Sequence, residues 1–158
     1  MITYYTKRGK FKERRSKNIS YYIRKYLHRE GKPAIIYRTS KNFKVFDRTE
    51  WYLNGKRHRE RGPAIEYKNI NHKEWWLDGK RHRLGGPAII YPSGIKKWYK
   101  EGKLHRLDGA AVIWFDEEEE WWINDKELDT QDVEDWIKNN NINLKTKAHQ
   151  VLFMVMFG

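Results

Sequence analysis

The sequence predicts a mainly β fold, an elongated antiparallel sheet of repeated β-hairpins with a small C-terminal helical cap. Three observations predict it. A phrase recurs, since WYLNGKRHRERGPAIEY at 51–67 returns as WWLDGKRHRLGGPAIIY at 75–91. Its aromatic pairs, Trp51-Tyr52, Trp75-Trp76, Trp98-Tyr99 and Trp121-Trp122, stand 24, 23 and 23 residues apart, and a fixed period of that length marks stacked repeats. Turn dipeptides fall at one place in each copy, between short runs rich in aromatic and β-branched residues such as KEWWL, AIIY and AAVIW.

Residues 1–20 read as a basic N-terminal arm or a degenerate first hairpin, and residues 21–128 as the hairpin repeats. A copy upstream of Trp51 is assigned from Tyr21-Tyr22, which precede His28 by the seven and six residues that separate Trp51-Tyr52 from His58. HREGKPAIIY then parallels HRERGPAIEY, with Lys32 in place of the glycine, and RTSKNFKVFDRTE is expected to hold a longer hairpin loop. Asn54-Gly55 and Asp78-Gly79 suit a two-residue type I′ turn, whose central residues both need positive φ; Glu101-Gly102 is a weaker version. Pro92-Ser93-Gly94 marks the link between repeats, and the acidic run Asp116 to Glu120 fills the same slot as a solvated loop. Gly85-Gly86 is a bend before Pro87. The last copy, WWINDKEL, lacks the glycine and the His-Arg and reads as a terminal cap.

Residues 129–158 change pattern and form the helical cap. Asp129-Thr130 offers an N-cap, and Val133, Trp136 and Ile137 share a helical stripe before NNN, so a helix is expected at about 130–139. Thr146 to Phe157 is either a second helix or a buried strand. Both elements are expected to cover the open end of the sheet, because unpaired strand edges invite aggregation.

The repeated residues raise the question of a site. Neighbours in a strand point to opposite faces, so one aromatic of each pair is expected in a core and the other outside. Trp51, Trp75, Trp98 and Trp121 are therefore binding candidates, with packing as the plainer role. Arg59, Arg83 and Arg106 form a second set, able to grip phosphates or carboxylates, or to pair with Glu60, Glu74 or Glu101 across strands. His28, His58, His82 and His105 recur once per copy. Equivalent positions two strands apart lie about 9.5 Å from each other, whereas ligands of one zinc ion stand about 3 to 4 Å apart. No metal and no cofactor are expected. No serine or carboxylate recurs in register with the histidines, so no catalytic residue is assigned and an enzyme is not expected.

The net charge is +12, unevenly placed. Residues 1–50 carry 15 Lys and Arg against 4 Asp and Glu, whereas residues 51–129 carry 15 against 14. Lys7, Arg8, Lys10, Lys12, Arg14, Arg15 and Lys17, interleaved with Phe11, Tyr21, Tyr22 and Tyr26, are candidates for an anionic partner such as nucleic acid. The chain has no cysteine, which excludes disulfides and thiolate ligands and fits a reducing compartment. The N-terminus lacks an apolar signal stretch, and VLFMVMF at 151–157 is far short of the ~20 residues of a membrane span. An intracellular, cytoplasmic protein is expected.

The spacing aromatic-x-x-Gly-Lys-x-His in Trp76 to His82, Tyr52 to His58 and Tyr99 to His105 resembles the core of the MORN repeat, itself a β-hairpin. The likeness covers roughly residues 21–128 and departs where His-Arg-x-x-Gly-Pro-Ala follows the histidine. This HRxxGPA variant is similar to uncharacterised repeat proteins of giant DNA viruses of amoebae and some phages, which implies a viral protein in the host cell cytoplasm. The resemblance implies a non-catalytic scaffold or protein-interaction module that meets a protein partner or forms a homo-oligomer. The alternative is a nucleic-acid-binding protein acting through the basic N-terminal arm. Third comes binding to an acidic phospholipid membrane surface.

Overall fold

A computed structural model describes residues 2–13, 26–37 and 47–158, with the side chains of 11–13 outside that description. The fold is mainly β, built of antiparallel hairpins, with two helices among the described residues, both near the C-terminus. Contacts divide the chain into two compact units, Met1–Arg81 and His82–Gly158. The division falls inside a copy of the phrase, between Arg81 and His82, and not at the edge of the repeats.

The first unit contains β1 (Ile2–Thr6), β2 (Gly9–Glu13), β3 (Ile35–Tyr37), β4 (Arg48–Glu50), β5 (Tyr52–Leu53), β6 (Lys56–Arg57), β7 (Ile65–Tyr67), β8 (His72–Glu74), β9 (Trp76–Leu77) and β10 (Lys80–Arg81). Its main sheet runs β8-β7-β4-β3-β1-β2, while β5-β6 and β9-β10 are separate two-stranded hairpins. The second unit contains β11 (Ile89–Ile90), β12 (Lys96–Lys97), β13 (Tyr99–Lys100), β14 (Lys103–Leu104), β15 (Val112–Ile113), β16 (Glu119–Ile123) and β17 (Lys126–Leu128), followed by α1 (Thr130–Asn139) and α2 (Lys147–Phe157). Its main sheet runs β17-β16-β15-β12-β11, and β13-β14 is again a separate hairpin.

The separate hairpins depart from the expectation that the phrase lies in one unbroken sheet, and the first aromatic of the pair is the reason. Trp51 donates its N–H to Ala64 O (2.8 Å), but its carbonyl accepts from His58 N–H (3.1 Å). A residue in a regular antiparallel ladder spends both groups on one neighbouring strand. Here they go to two segments, so β4 ends before Trp51 and β5 begins after it. Trp98 repeats the arrangement with Ala111 O (2.8 Å) and His105 N–H (3.2 Å). The turns at 54–55, 78–79 and 101–102 therefore belong to the small hairpins, not to an edge of the main sheets.

Those turns have the backbone that the sequence calls for. Asn54 and Gly55 take φ of 51° and 77°, Asp78 and Gly79 50° and 82°, and Glu101 and Gly102 53° and 90°. The last copy keeps the turn without a glycine, since Asn124 and Asp125 stand at 53° and 68°. Asp125 secures it twice, donating its N–H to Leu104 O (3.0 Å) and accepting Leu104 N–H on its carboxylate (2.7 Å). Asn and Asp tolerate this conformation better than other side chains do.

The upstream copy is described in part. Tyr21 and Tyr22 lie outside the described residues, as do 38–46 of the expected long loop. Tyr5 makes the backbone bonds that Trp51 makes in the next copy: it donates its N–H to Ala34 O (2.8 Å) and accepts from His28 N–H (3.1 Å), as Trp51 does with Ala64 and His58. Strand β1 pairs with β3 at Tyr4↔Ile35, as β4 pairs with β7 at Glu50↔Ile65. Residues 2–13 thus form a hairpin whose first strand pairs with β3.

The core is thin in the repeats and thick at the C-terminal end. The alanine and isoleucine after the proline are buried in each copy, as at Ala64-Ile65 and Ala88-Ile89. In the first unit Tyr4, Leu27, Ala34, Ile35 and Tyr52 form one cluster. In the second, Trp121, Ile123 and Leu128 of the last hairpin pack with Val133 of α1, with Leu144 between the helices and with Phe153 of α2. Helix α1 spans the expected residues, capped by the Asp129 carboxylate, which accepts Asp132 N–H (3.0 Å). The 146–157 run is a helix, opened by Thr146, whose hydroxyl accepts His149 N–H (3.4 Å).

Candidate functional site

The phrase is held together by its own recurring letters, beginning with the arginine after the histidine. Arg29, Arg59 and Arg83 each donate through Nη1 to the proline carbonyl four residues on, Pro33, Pro63 and Pro87 (3.1, 2.9 and 3.0 Å). Arg106 does the same to Ala110 O (2.8 Å). The guanidinium also lies over an aromatic face, 3.6 Å from the Tyr5 ring for Arg29, 3.9 Å from Trp51 for Arg59 and 4.0 Å from Trp98 for Arg106. Such stacking adds about 0.5 to 2 kcal/mol.

This clamp explains the glycine of HRxxGPA. A Cβ at Gly62, Gly86 or Gly109 would stand 3.1, 3.0 or 2.9 Å from the Arg59, Arg83 or Arg106 guanidinium carbon. In these copies the arginine lies against the bare glycine, and at Gly62 a φ of 118° adds a backbone reason for it. In the first copy Lys32 holds that position, and Arg29 still reaches Pro33 O. Arg29, Arg59 and Arg106 thus bind both backbone and a ring, and Arg83 binds the backbone. Arg106 adds a carboxylate, Asp108 (2.7 Å). Burial would raise the Asp108 carboxyl, but Arg106 and Lys145 outweigh it and hold it below the usual range.

The histidine joins one hairpin to the next. Nδ1 of His28 and His82 accepts the backbone N–H of Asn54 and Glu101, the first turn residue of the following copy (3.2 and 3.1 Å), and His58 Nδ1 meets Asp78 at the same place, 3.2 Å from its backbone nitrogen and 2.8 Å from its carboxylate. The second turn residue adds a backbone bond, as from Gly79 N–H to Arg57 O (2.8 Å). His105 is buried, and burial, then Lys100, lowers its pKa below 6.5, against an opposing hydrogen bond with Asn124.

A second feature escaped the sequence reading. Glutamate precedes the aromatic pair in three of the four copies, at Glu50, Glu74 and Glu120, and the polar atom of the second aromatic bonds it each time. Tyr52 OH donates to Glu50 (3.0 Å), Trp76 Nε1 to Glu74 (3.0 Å) and Trp122 Nε1 to Glu120 (3.0 Å). Glu50 is 1% exposed and is gripped by Arg48 and by Arg57 (3.4 Å). Burial opposes the Arg48 charge, but Glu50 and the Tyr67 hydroxyl outweigh it and raise its pKa. Glu120 also accepts from Trp114 Nε1 (2.7 Å), so it belongs to β16 and not to the solvated loop to which the sequence assigned it. The recurring Glu-aromatic-aromatic triplet was the available signal.

Of the remaining shortlisted residues, Trp121 is buried edge-on to Phe153 (5.7 Å between centroids), and Trp75 is half-buried. Lys7, Arg8 and Lys10 are exposed around the β1–β2 turn, with Arg8 5.9 Å from the Tyr26 ring and Lys10 5.9 Å from that of Tyr5. The side chain of Lys12 and all of Arg14, Arg15 and Lys17 lie outside the described residues.

An open groove of about 370 Å³ brings two copies of the loop together in the first unit. Arg29 and Glu30 line it from one copy, and Trp51, His58, Arg59 and Arg61 from the next. Its charges are mixed, since Glu60 also reaches it. Among the described residues no three His, Asp or Glu side chains gather as a metal site would need, and no helix is long and apolar enough to cross a membrane. Comparison with known proteins finds no matching family model, no similar curated protein and no similar solved structure.

Proposed function

We propose that the chain is a non-catalytic repeat scaffold that works through protein contact, with a protein partner or a second copy of itself. The observation that carries this reading is the use of the repeated polar groups. Each histidine Nδ1 named above holds the next turn, each arginine holds a carbonyl four residues on, and each glutamate holds the second aromatic. Groups so engaged serve rigidity, and a rigid stack of hairpins suits the display of surfaces to other proteins. The mixed charge of the Arg29–Arg61 groove fits a protein surface better than a polyanion. The MORN-like spacing supports the same reading.

Nucleic-acid binding is the second reading, favoured by the exposed Lys7, Arg8 and Lys10 beside a half-exposed Tyr26. Phosphate contacts release counterions, so affinity for a single strand would fall with a slope of about 0.7 per contact in log salt. Affinity purification of the tagged chain from its native cells, with and without nuclease, separates the two. Retention of the same proteins after digestion supports the scaffold; their loss supports nucleic acid.

A further inference from the structure

The arginine clamp carries its own carboxylate in one copy and lacks one in another. Arg106 holds Ala110 O and lies over Trp98, and its Nε also donates to Asp108, two residues on (2.7 Å). The other Asp108 oxygen stands 3.8 Å from Lys145 Nζ, so this carboxylate rests between two cations. Arg59 makes the same carbonyl and ring contacts, to Pro63 O and Trp51. Two residues on, the chain has Arg61 instead of an acid. Neither Arg59 nor Arg61 forms an ion pair among the described residues. Burial lowers the Arg59 pKa, against a weaker opposing effect of Glu66.

Arg59 and Arg61 share the open groove of about 370 Å³ with Arg29, the clamp of the preceding copy, and with Trp51 and Leu53. Arg29 and Arg59 each spend one N–H on a proline carbonyl, and a guanidinium has five to give. Arg61 is exposed. The Arg106 copy shows what such a clamp takes when its donors are met: a carboxylate, backed by a second cation.

A segment of matching chemistry lies elsewhere in the chain. The turn between β15 and β16 presents Phe115, 69% exposed, followed by exposed Asp116 to Glu119. Its backbone is ordered by Trp114 N–H donating to Glu118 O (2.9 Å) and Glu117 N–H to Trp114 O (3.2 Å). The Asp116 carboxylate accepts Glu118 N–H (3.4 Å), whereas those of Glu117, Glu118 and Glu119 form no ion pair among the described residues. A loop already ordered loses little freedom on docking.

We propose that the Arg29–Arg61 groove is a carboxylate-binding site whose occupant is the Phe115–Glu119 loop of a second copy of the chain. The proposal deepens the scaffold reading and rests on it. Glu117 and Glu118 of one copy then meet Arg59 and Arg61 of the other as Asp108 meets Arg106, and Phe115 meets the apolar lining of Trp51 and Leu53. Glu30 and Glu60 also line the groove, which weakens its hold on anions in general and most of all on a continuous polyphosphate. Groove and loop are different surfaces, so each contact joins unlike faces, the pattern that builds rings or filaments.

Sedimentation equilibrium of the full chain from about 10 µM to about 1 mM reads this association. The wild-type mass should rise above monomer across that range, and about 0.5 M NaCl should suppress the rise by screening the exposed charges. Arg61→Glu should weaken association at least about tenfold, as should Glu117→Gln combined with Glu118→Gln. Melting temperatures should stay unchanged, since all three side chains are exposed. The sharpest sample is an equimolar mixture of the groove variant and the loop variant. Each keeps the face that the other has lost, so together they should form a mixed dimer although neither associates alone. A wild type that is monomeric at the top concentration, association that ignores salt, or a mixture no heavier than its components overturns the proposal. So does binding of a single-stranded oligonucleotide that Arg61→Glu abolishes, which would assign the groove to nucleic acid. If the wild type stays monomeric while nuclease-resistant protein partners are retained, self-docking fails and the scaffold reading stands.

Discussion

The repeats at 47–81 and the C-terminal segment at 119–158 solve one problem in two ways. Each must hold short strands together without a large core. In the first, buried apolar surface is scarce, and polar stitching does the work: Glu50 with Arg48, Arg57 and Tyr52, the Arg59 clamp over Trp51, and the His58 bond to the next turn. In the second, α1 and α2 cover the last hairpin, and Trp121, Ile123, Val133 and Phe153 supply a conventional core. A stack of hairpins can gain stability from directional contacts that repeat with the period, but an end has no next copy to bond to. Apolar helices, which need no register, close it.

The largest effects should distinguish these two mechanisms. Phe153→Ala empties a fully buried site and should cost about 3 to 5 kcal/mol in denaturant unfolding. Glu50→Ala should cost about as much, roughly 3 to 5 kcal/mol, because it strands Arg48 and Arg57. The second loss, unlike the first, should be largely recovered by replacing all three charges together, as in Glu50→Leu with Arg48→Met and Arg57→Met. No recovery would mean that the cluster, like Phe153, acts mainly by filling space.

Next in size is the clamp. Arg59→Ala forfeits a charge-assisted bond to Pro63 O and the stacking on Trp51, about 2 to 4 kcal/mol together. Arg59→Lys should recover little, since an ammonium lacks the planar fork. Equal stability of the Lys variant would show that only the positive charge matters.

Gly79→Val follows, at about 1 to 3 kcal/mol. The nearest atoms to the added Cβ belong to the Lys56 stem at 3.6 Å, so space is available and the cost is the backbone at φ of 82°. His82→Gln should cost under about 1 kcal/mol, because the amide oxygen can accept Glu101 N–H in place of Nδ1. Thermal melts that ranked the two the other way would make the histidine the stronger element of the stitching.

The smallest effect concerns pH. Burial keeps His105 neutral in the fold, with its pKa below 6.5. The unfolded chain therefore takes up a proton first as pH falls below 6.5, and stability present above that value is lost between it and the lower folded value. His105→Gln should flatten this part of the stability profile. An unchanged slope would place the pH dependence elsewhere, Asp108 being the next group to check.

Much of the local structure was legible in the amino-acid sequence because it depends on near neighbours. Asn54-Gly55 and Asp78-Gly79 dictate their turns through backbone sterics, Asp129 caps α1 through a side chain three residues away, and a strict period requires that each copy repeat its neighbour's contacts. Where the spacing was broken, counting along the chain missed Tyr5. Tyr21-Tyr22 match the count to His28 and lie outside the described residues, whereas Tyr5 makes the backbone bonds to Ala34 and His28, which respond to pairing and not to distance along the chain.

What only the tertiary structure decided is where each polar side chain is engaged. Arg59 and Glu66 differ little from Arg57 and Glu50 as letters. Yet Arg59 turns back on its own loop, while Arg57 reaches a carboxylate seven residues before it. The apolar run at 146–157 shows the same limit: composition marked it for burial, but neither its helical form nor its single covered face follows from hydrophobicity alone. Turn chemistry acts over a few residues and is written in them, whereas burial and partner choice depend on segments that only folding brings together.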